Sequence, residues 1–143
     1  MASINEEQDE VISDFEMLET WEEKYEYIID IGKRLQTLPL EYKTESNKIK
    51  GCQSNVWLHA EMREGLLHFS AESDAIIVRG LVSLLIRVLS GHKPAEIASA
   101  DLYFIDKIGM TKHLAQTRSN GLLSMVKQMK FYGLAYQSRE VQA

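Results

Sequence analysis

The chain reads as an α+β protein in which helices pack on the apolar face of a small antiparallel sheet. Three observations carry this reading. Two amphipathic helical patterns with capping signals open the chain. An alternating apolar pattern then doubles back across a glycine turn, and a nearly unbroken apolar helical run follows it.

Taken in order, Asn5 with Gln8 three residues later has the form of a capping box, ahead of Val11, Ile12, Phe15 and Leu18 at helical spacing. This predicts a first helix over about residues 6–18. Thr20 and Glu23 make a second capping signal, and a helix over about residues 21–35 follows, with Trp21, Tyr25, Ile28, Gly32 and Leu35 as its inward stripe. Leu38-Pro39 ends it, because the residue before a proline disfavours helical angles. Residues 41–47 are polar and turn-like.

Val56, Leu58, Ala60 and Met62 alternate with Trp57, His59 and Glu61, a period-two strand with one mostly apolar face. Arg63-Glu64-Gly65 is a turn, and residues 66–71 return as a second strand with Leu67 and Phe69 on one face. A shorter strand at 48–50 would put Cys52 on the connection between two strands. His59 and His68 would face one another across the hairpin; with no third ligand nearby they read as sheet-face residues rather than a metal site.

Ser73-Asp74 opens a helix reaching about Ser90, in which only Arg79, Ser83, Arg87 and Ser90 are polar, at steps of four, four and three. A helix apolar around most of its circumference is a buried one. It is too short to span a membrane and carries two arginines. Gly91 is its expected stop. Pro94 begins a short turn of helix, Asp101 caps a segment over 102–108 that Gly109 ends, and Ser119 starts a last helix with Leu122, Val126, Met129 and Gly133 on one face. Residues 138–142 read as a frayed tail.

Composition narrows the function. One domain spanning residues 1–143 is large enough to bury roughly 68–70% of the surface its unfolded form would expose. With 45% hydrophobic and 26% charged residues it reads as soluble and globular, and a net charge of −5 gives no overall attraction to nucleic acid or to an anionic membrane. The start, Met-Ala-Ser-Ile-Asn-Glu-Glu, has neither the basic region nor the apolar core of a secretory signal, and one cysteine permits no internal disulfide. A cytoplasmic location is expected.

That single cysteine organises the rest. Cys52 sits among Lys48, Lys50, Gly51, Gln53, Ser54 and Asn55, with no apolar run around it. Lone cysteines are commonly small buried hydrophobes. Two ammonium groups within four residues argue instead for a partly exposed thiol in electropositive company, where the nucleophilic thiolate is favoured.

The stretch Asn-Lys-Ile-Lys-Gly-Cys-Gln-Ser-Asn-Val-Trp resembles the active-site loop of the SufE family, cysteine desulfuration proteins that accept sulfur during iron–sulfur cluster assembly. Three more segments resemble that family in the same order. They are Trp21-Glu22-Glu23-Lys24-Tyr25, the run from Ser73 to Leu81, and His113-Leu114 followed by Arg118-Ser119-Asn120-Gly121-Leu122. The resemblance implies the SufE/NifU-like fold with a three-stranded antiparallel sheet, shared with iron–sulfur scaffold proteins. It implies that Cys52 is the persulfide-forming nucleophile of a sulfur carrier that stimulates its donor. The donor is a SufS-like cysteine desulfurase, to which the pyridoxal phosphate (PLP) belongs; no cofactor is expected on this chain. The recipient is a SufBCD-like scaffold complex, and a homodimer is left open.

Gly51, Gln53 and Ser54 complete the reactive loop, and Asp74, His113 and Arg118 are candidate partner-binding residues beside it. Asp74 equally suits a helix amino terminus. Arg118 also reads as a surface arginine, and His113 as a loop histidine satisfied by backbone. The same family segment holds Asn120 and Gly121. A scaffold that builds the cluster itself needs several thiolate ligands, which one cysteine does not supply. A regulator that binds the desulfurase without accepting sulfur is the remaining alternative.

Overall fold

The computed structural model describes residues 2–142. Helix α1 (Ile4–Glu16) and helix α2 (Trp21–Lys33) come first. The hairpin β1 (Val56–Arg63) and β2 (Leu66–Ser73) follows, then the central helix α3 (Ile76–Leu89). Short helices α4 (Pro94–Ser99), α5 (Phe104–Lys107) and α6 (Met110–His113) lead to α7 (Gln116–Gln142). The architecture is α+β, as the sequence predicts.

The first helix begins two residues earlier than expected. Ser3 accepts from the Glu6 amide and Glu6 accepts from the Ser3 amide, each at 3.1 Å, so the reciprocal box belongs to Ser3 and Glu6 rather than to Asn5 and Gln8. Gln8 keeps only a side-chain bond to Asn5, donating to its Oδ1 at 3.2 Å, and its main partners lie elsewhere. Fully buried, it donates to the Asp101 carbonyl at 3.0 Å and accepts from the Phe104 amide at 3.1 Å. An interior amide left without partners would cost about 1–3 kcal/mol. Its two long-range bonds therefore pin the α4–α5 connection, and α5 starts at Phe104 without a cap from Asp101.

Thr20 caps α2 as predicted, accepting from the Glu23 amide at 3.1 Å. In the hairpin, Arg63 pairs with Leu66 across Glu64 and Gly65, both at positive φ (52° and 80°). A two-residue turn of that kind matches the twist of its strands. The register sets Val56, Leu58, Ala60 and Met62 opposite Ser73, Ala71, Phe69 and Leu67. Val56, Leu58 and Leu67 are wholly buried there. His59 lies opposite Ser70 and His68 opposite Glu61, so the two histidines are diagonal rather than face to face; His59 stacks on Tyr42 at 3.7 Å.

Among the described residues the sheet has two strands, not three. Ile49 donates to Val56 and Leu58 donates to Asn47, both at 2.8 Å, giving an isolated bridge between Lys48 and Trp57. A turn closed by Asn47 N–H on Thr44 precedes this stretch, and Gly51 at φ +90° swings the chain away after it. Too few extended residues lie between those turns for a strand.

Helix α3 is the centre of the core, with Leu81, Val82, Leu85, Val88 and Leu89 all but inaccessible. Its narrow polar stripe finds partners along its length. Arg79 donates to the Leu35 carbonyl, Ser83 to Arg79, and Ser90 accepts from the Phe69 amide. Arg87 pairs with Glu7, Glu10 and Asp14 of α1. Gly91 ends the helix at φ +82° and Gly109 ends α5 at φ +79°. The last helix starts at Gln116 rather than Ser119, and continues over 138–142 where fraying was expected.

Candidate functional site

Cys52 is carried on a loop held at both stems. Ile49, 6% exposed, anchors one side in the core and Val56 begins β1 on the other. Asn55 is clamped to Asp74, donating to its carboxylate from the backbone at 3.1 Å and from its side-chain amide at 2.9 Å. The Asp74 amide returns a bond to the Asn55 carbonyl at 3.3 Å. This corrects the helix-capping reading of Asp74. The amino-terminal cap of α3 is Ala75, without a side-chain bond, and Asp74 holds the loop instead.

Between the stems, Gly51 needs its missing side chain twice over. Its φ of +90° disfavours any Cβ, and a Cβ there would lie 2.6 Å from Ser124 Oγ on α7. The backbone can therefore lie against that helix. The thiol of Cys52 donates to the Gly121 carbonyl at 3.6 Å, and a Cβ on Gly121 would touch the sulfur at the same distance.

The cysteine is half-buried, in keeping with the partly exposed thiol expected from the sequence. Burial raises its thiol above the ordinary cysteine range, since the charged thiolate is the form that loses hydration. The expectation of an electropositively activated thiol is thus corrected. Lys48 sits 3.6 Å from Glu45 and over the Trp57 ring, turned to other partners. Sequence proximity to two lysines does not translate into charge at the sulfur.

A cavity of about 350 Å³ opens beside the thiol. The loop contributes Cys52, Gln53 and Ser54; α3 contributes Val78 and Leu81; and α7 contributes Arg118, Gly121 and Met125. One wall is apolar and another carries a guanidinium. Arg118 is exposed near the start of α7, and no carboxylate among the described residues is paired with it. The structure therefore brings Cys52, Gln53, Ser54 and Arg118 together, sets Gly51 behind them, and ties Asp74 to the loop through Asn55.

His113 is not part of this group. It stacks on Trp21 at 4.1 Å, outside the lining of the cavity. Asn55 and the apolar wall of Val78, Leu81 and Met125 were not singled out by sequence reasoning as part of the site. Asn55 lay within the quoted loop stretch and Val78 and Leu81 within the quoted run from Ser73 to Leu81, but only an apolar helical pattern that any core shares marked the three wall residues individually. Among the described residues no group of three or more His, Cys, Asp or Glu side chains could hold a metal ion. No helix among them is long and apolar enough to cross a membrane.

The arrangement makes one prediction about the sulfur as it rests. The pH dependence of Cys52 alkylation by iodoacetamide should have a higher midpoint in the folded protein than in the same chain unfolded in urea. Alkylation at pH 7 should accordingly be slower when folded. A folded midpoint at or below the unfolded one would show that Arg118 or the lysines outweigh burial.

Comparison with known proteins bears on the whole arrangement. Residues 9–132 match the family model SufE, described as an Fe-S metabolism associated domain. An uncharacterised SufE-like protein of Rhizobium meliloti (strain 1021) is 44% identical over 127 residues, covering 85% of this chain and 91% of that protein. A SufE-like protein of Rhizobium etli, also uncharacterised, is 42% identical over 127 residues, with 85% and 86% covered. The solution structure of a hypothetical protein from Thermus thermophilus has the same fold, with a TM-score of 0.77 over 92% of this chain and 96% of that one, at 16% identity. With a family model spanning residues 9–132 and relatives above 40% identity over most of their length, the chain belongs to the SufE family, whose domain is associated with Fe–S metabolism.

Proposed function

We propose that this protein is a sulfur carrier that takes persulfide sulfur onto Cys52 from a PLP-dependent cysteine desulfurase and passes it to an iron–sulfur scaffold complex. The observation that carries the proposal is the placement of the one thiol. It lies on a glycine-backed loop, at a cavity with an apolar wall and one cationic rim residue, Arg118. Family membership supplies the Fe–S context.

The transfer is an exchange reaction at sulfur. The Cys52 thiolate attacks the terminal sulfur of a donor persulfide, a new sulfur–sulfur bond forms at Sγ, and the donor's own sulfur–sulfur bond breaks. The donor cysteine departs as a thiolate and the terminal sulfur keeps its proton, so no oxidant or reductant is required. Pyridoxal phosphate acts in the donor and not on this chain. Burial disfavours the reactive thiolate of the resting, half-buried Cys52, so a docked donor that loosens the loop and exposes the sulfur speeds the attack. Arg118 then offers a charge-assisted contact to the anionic sulfur. Without a second cysteine, the loaded persulfide has no internal thiol with which to collapse into a disulfide. Stimulation of the desulfurase follows from removal of its terminal sulfur.

Incubation with a cysteine desulfurase and free cysteine should add about 32 Da per sulfur to the intact protein, the mass of a persulfide sulfur. The adduct should map to Cys52 and disappear with reductant. An unmodified mass while the desulfurase turns over would sink the carrier mechanism.

A further inference from the structure

Helix α7 presents a second surface, on the side opposite the cavity. Leu123, Phe131 and Leu134 are 52%, 59% and 56% exposed. With Lys127 they fall at steps of four, four and three, so they form one stripe about 16 Å long at 1.5 Å per residue. The residues α7 turns inward, Leu122, Met125 and Met129, lie on its other face. At 100° per residue the stripe is centred roughly 180° from Arg118 and Met125, which line the cavity. It is therefore distinct from the Cys52 site.

Charge decides what such a stripe accepts. The helix carries four basic residues against one acidic, in a chain whose formal net charge is −5. Lys127 lies within the stripe and Lys130 on its border, and among the described residues neither is paired with a carboxylate. A second copy of the chain fits poorly. Antiparallel pairing of two stripes would set Leu123 against Leu134 but Lys127 against Lys130, bringing four ammonium groups together. An anionic bilayer is disfavoured by the acidic remainder of the chain and by the small apolar area that three side chains offer.

We propose that the outer stripe of α7 docks an acidic amphipathic helix of a protein partner. Its apolar residues pack between Leu123, Phe131 and Leu134, and its carboxylates meet Lys127 and Lys130. Helix-on-helix docking of this kind uses anchors at the spacing the stripe shows. The remaining surface, Cys52 included, stays free, so this partner and one engaged at the cysteine loop can bind together.

A fluorescent helical peptide with leucines at steps of four, four and three, flanked by glutamates, is the probe; a second peptide has lysines in place of those glutamates. Anisotropy should show the glutamate peptide binding the intact protein, weakening with added salt, and the lysine peptide binding at least about tenfold more weakly. Phe131→Ser and Lys127→Glu should each weaken the glutamate peptide about tenfold. Melting temperature and the pH profile of Cys52 alkylation should not change in either variant, which separates lost docking from misfolding and from the chemistry of the loop. Equal binding of both peptides, or binding unaffected by Phe131→Ser, overturns the proposal. So does a wild-type dimer in light scattering that Phe131→Ser dissociates, or cosedimentation with phosphatidylglycerol vesicles that the same variant abolishes.

Discussion

Gly80→Ala should lower stability by about 3 kcal/mol, the upper part of the range for overpacked cores, and the melting temperature by roughly 6–12 °C. The sign is informative because the local effect runs the other way. In an open helix the same change gains about 1 kcal/mol, since alanine is the better helix former. Here α2 and α3 touch backbone to backbone. A Cβ on Gly80 would lie 2.8 Å from the Ile28 carbonyl carbon and overlap its oxygen. Neither of those atoms is the movable end of a side chain. On the facing helix, a Cβ on Gly32 would lie 2.7 Å from Gly80 N and 2.8 Å from the Ile76 carbonyl oxygen. The two helices would have to separate, opening the core around Ile28, Ile77 and Leu81. Calorimetry on the purified variant checks this. An unchanged or raised melting temperature would mean that the helices are not in backbone contact.

The fold was legible where one residue type has one physical use. The polar stripe of Arg79, Ser83, Arg87 and Ser90 marked α3 as buried, and each of the four found a partner along that face. Gly91 and Gly109 stopped their helices because few other residues adopt a positive φ without strain. The readings that failed concern residues with two uses. Gln8 suited a capping box with Asn5, but its amide keeps only a side-chain bond to Asn5 and is otherwise held by Asp101 and Phe104, and Ser3 with Glu6 took the cap. Asp74 suited a helix terminus, yet the Asn55 amides outcompeted α3 for it. Extended residues at 48–50 suited a third strand, which the turns around them cut to one bridge.

The candidate site shows the same division. Cys52 with Gly51 stood out from local sequence alone, because the loop is contiguous. Its burial did not, because Val78, Leu81 and Met125 come from helices distant in the chain. Lys48 misled for the matching reason: its ammonium turns to Glu45 and Trp57, and nearness along the chain sets no distance between side chains. Arg118 reaches the cavity only because α7 returns its first turns to the cysteine loop.

Under the proposed carrier mechanism, Cys52→Ser should leave the protein folded and able to bind a cysteine desulfurase, while reducing desulfurase turnover to the rate seen without it. Serine is slightly smaller than cysteine, and its half-buried hydroxyl faces an open cavity where solvent can satisfy it, so the change in stability should stay within about 1 kcal/mol. What disappears is the chemistry. An alkoxide is not accessible near pH 7, and among the described residues no base is positioned to generate one at this loop. Oxygen therefore cannot take the terminal sulfur from a donor persulfide, whatever the fit of the docked complex. Binding measured by calorimetry and turnover measured by sulfide release separate the two parts of the function. A serine variant that binds but does not stimulate identifies Cys52 as the acceptor. One that stimulates as well as wild type would instead make the protein a desulfurase-binding regulator, acting by contact alone, with its half-buried cysteine serving only to seat the loop against α7.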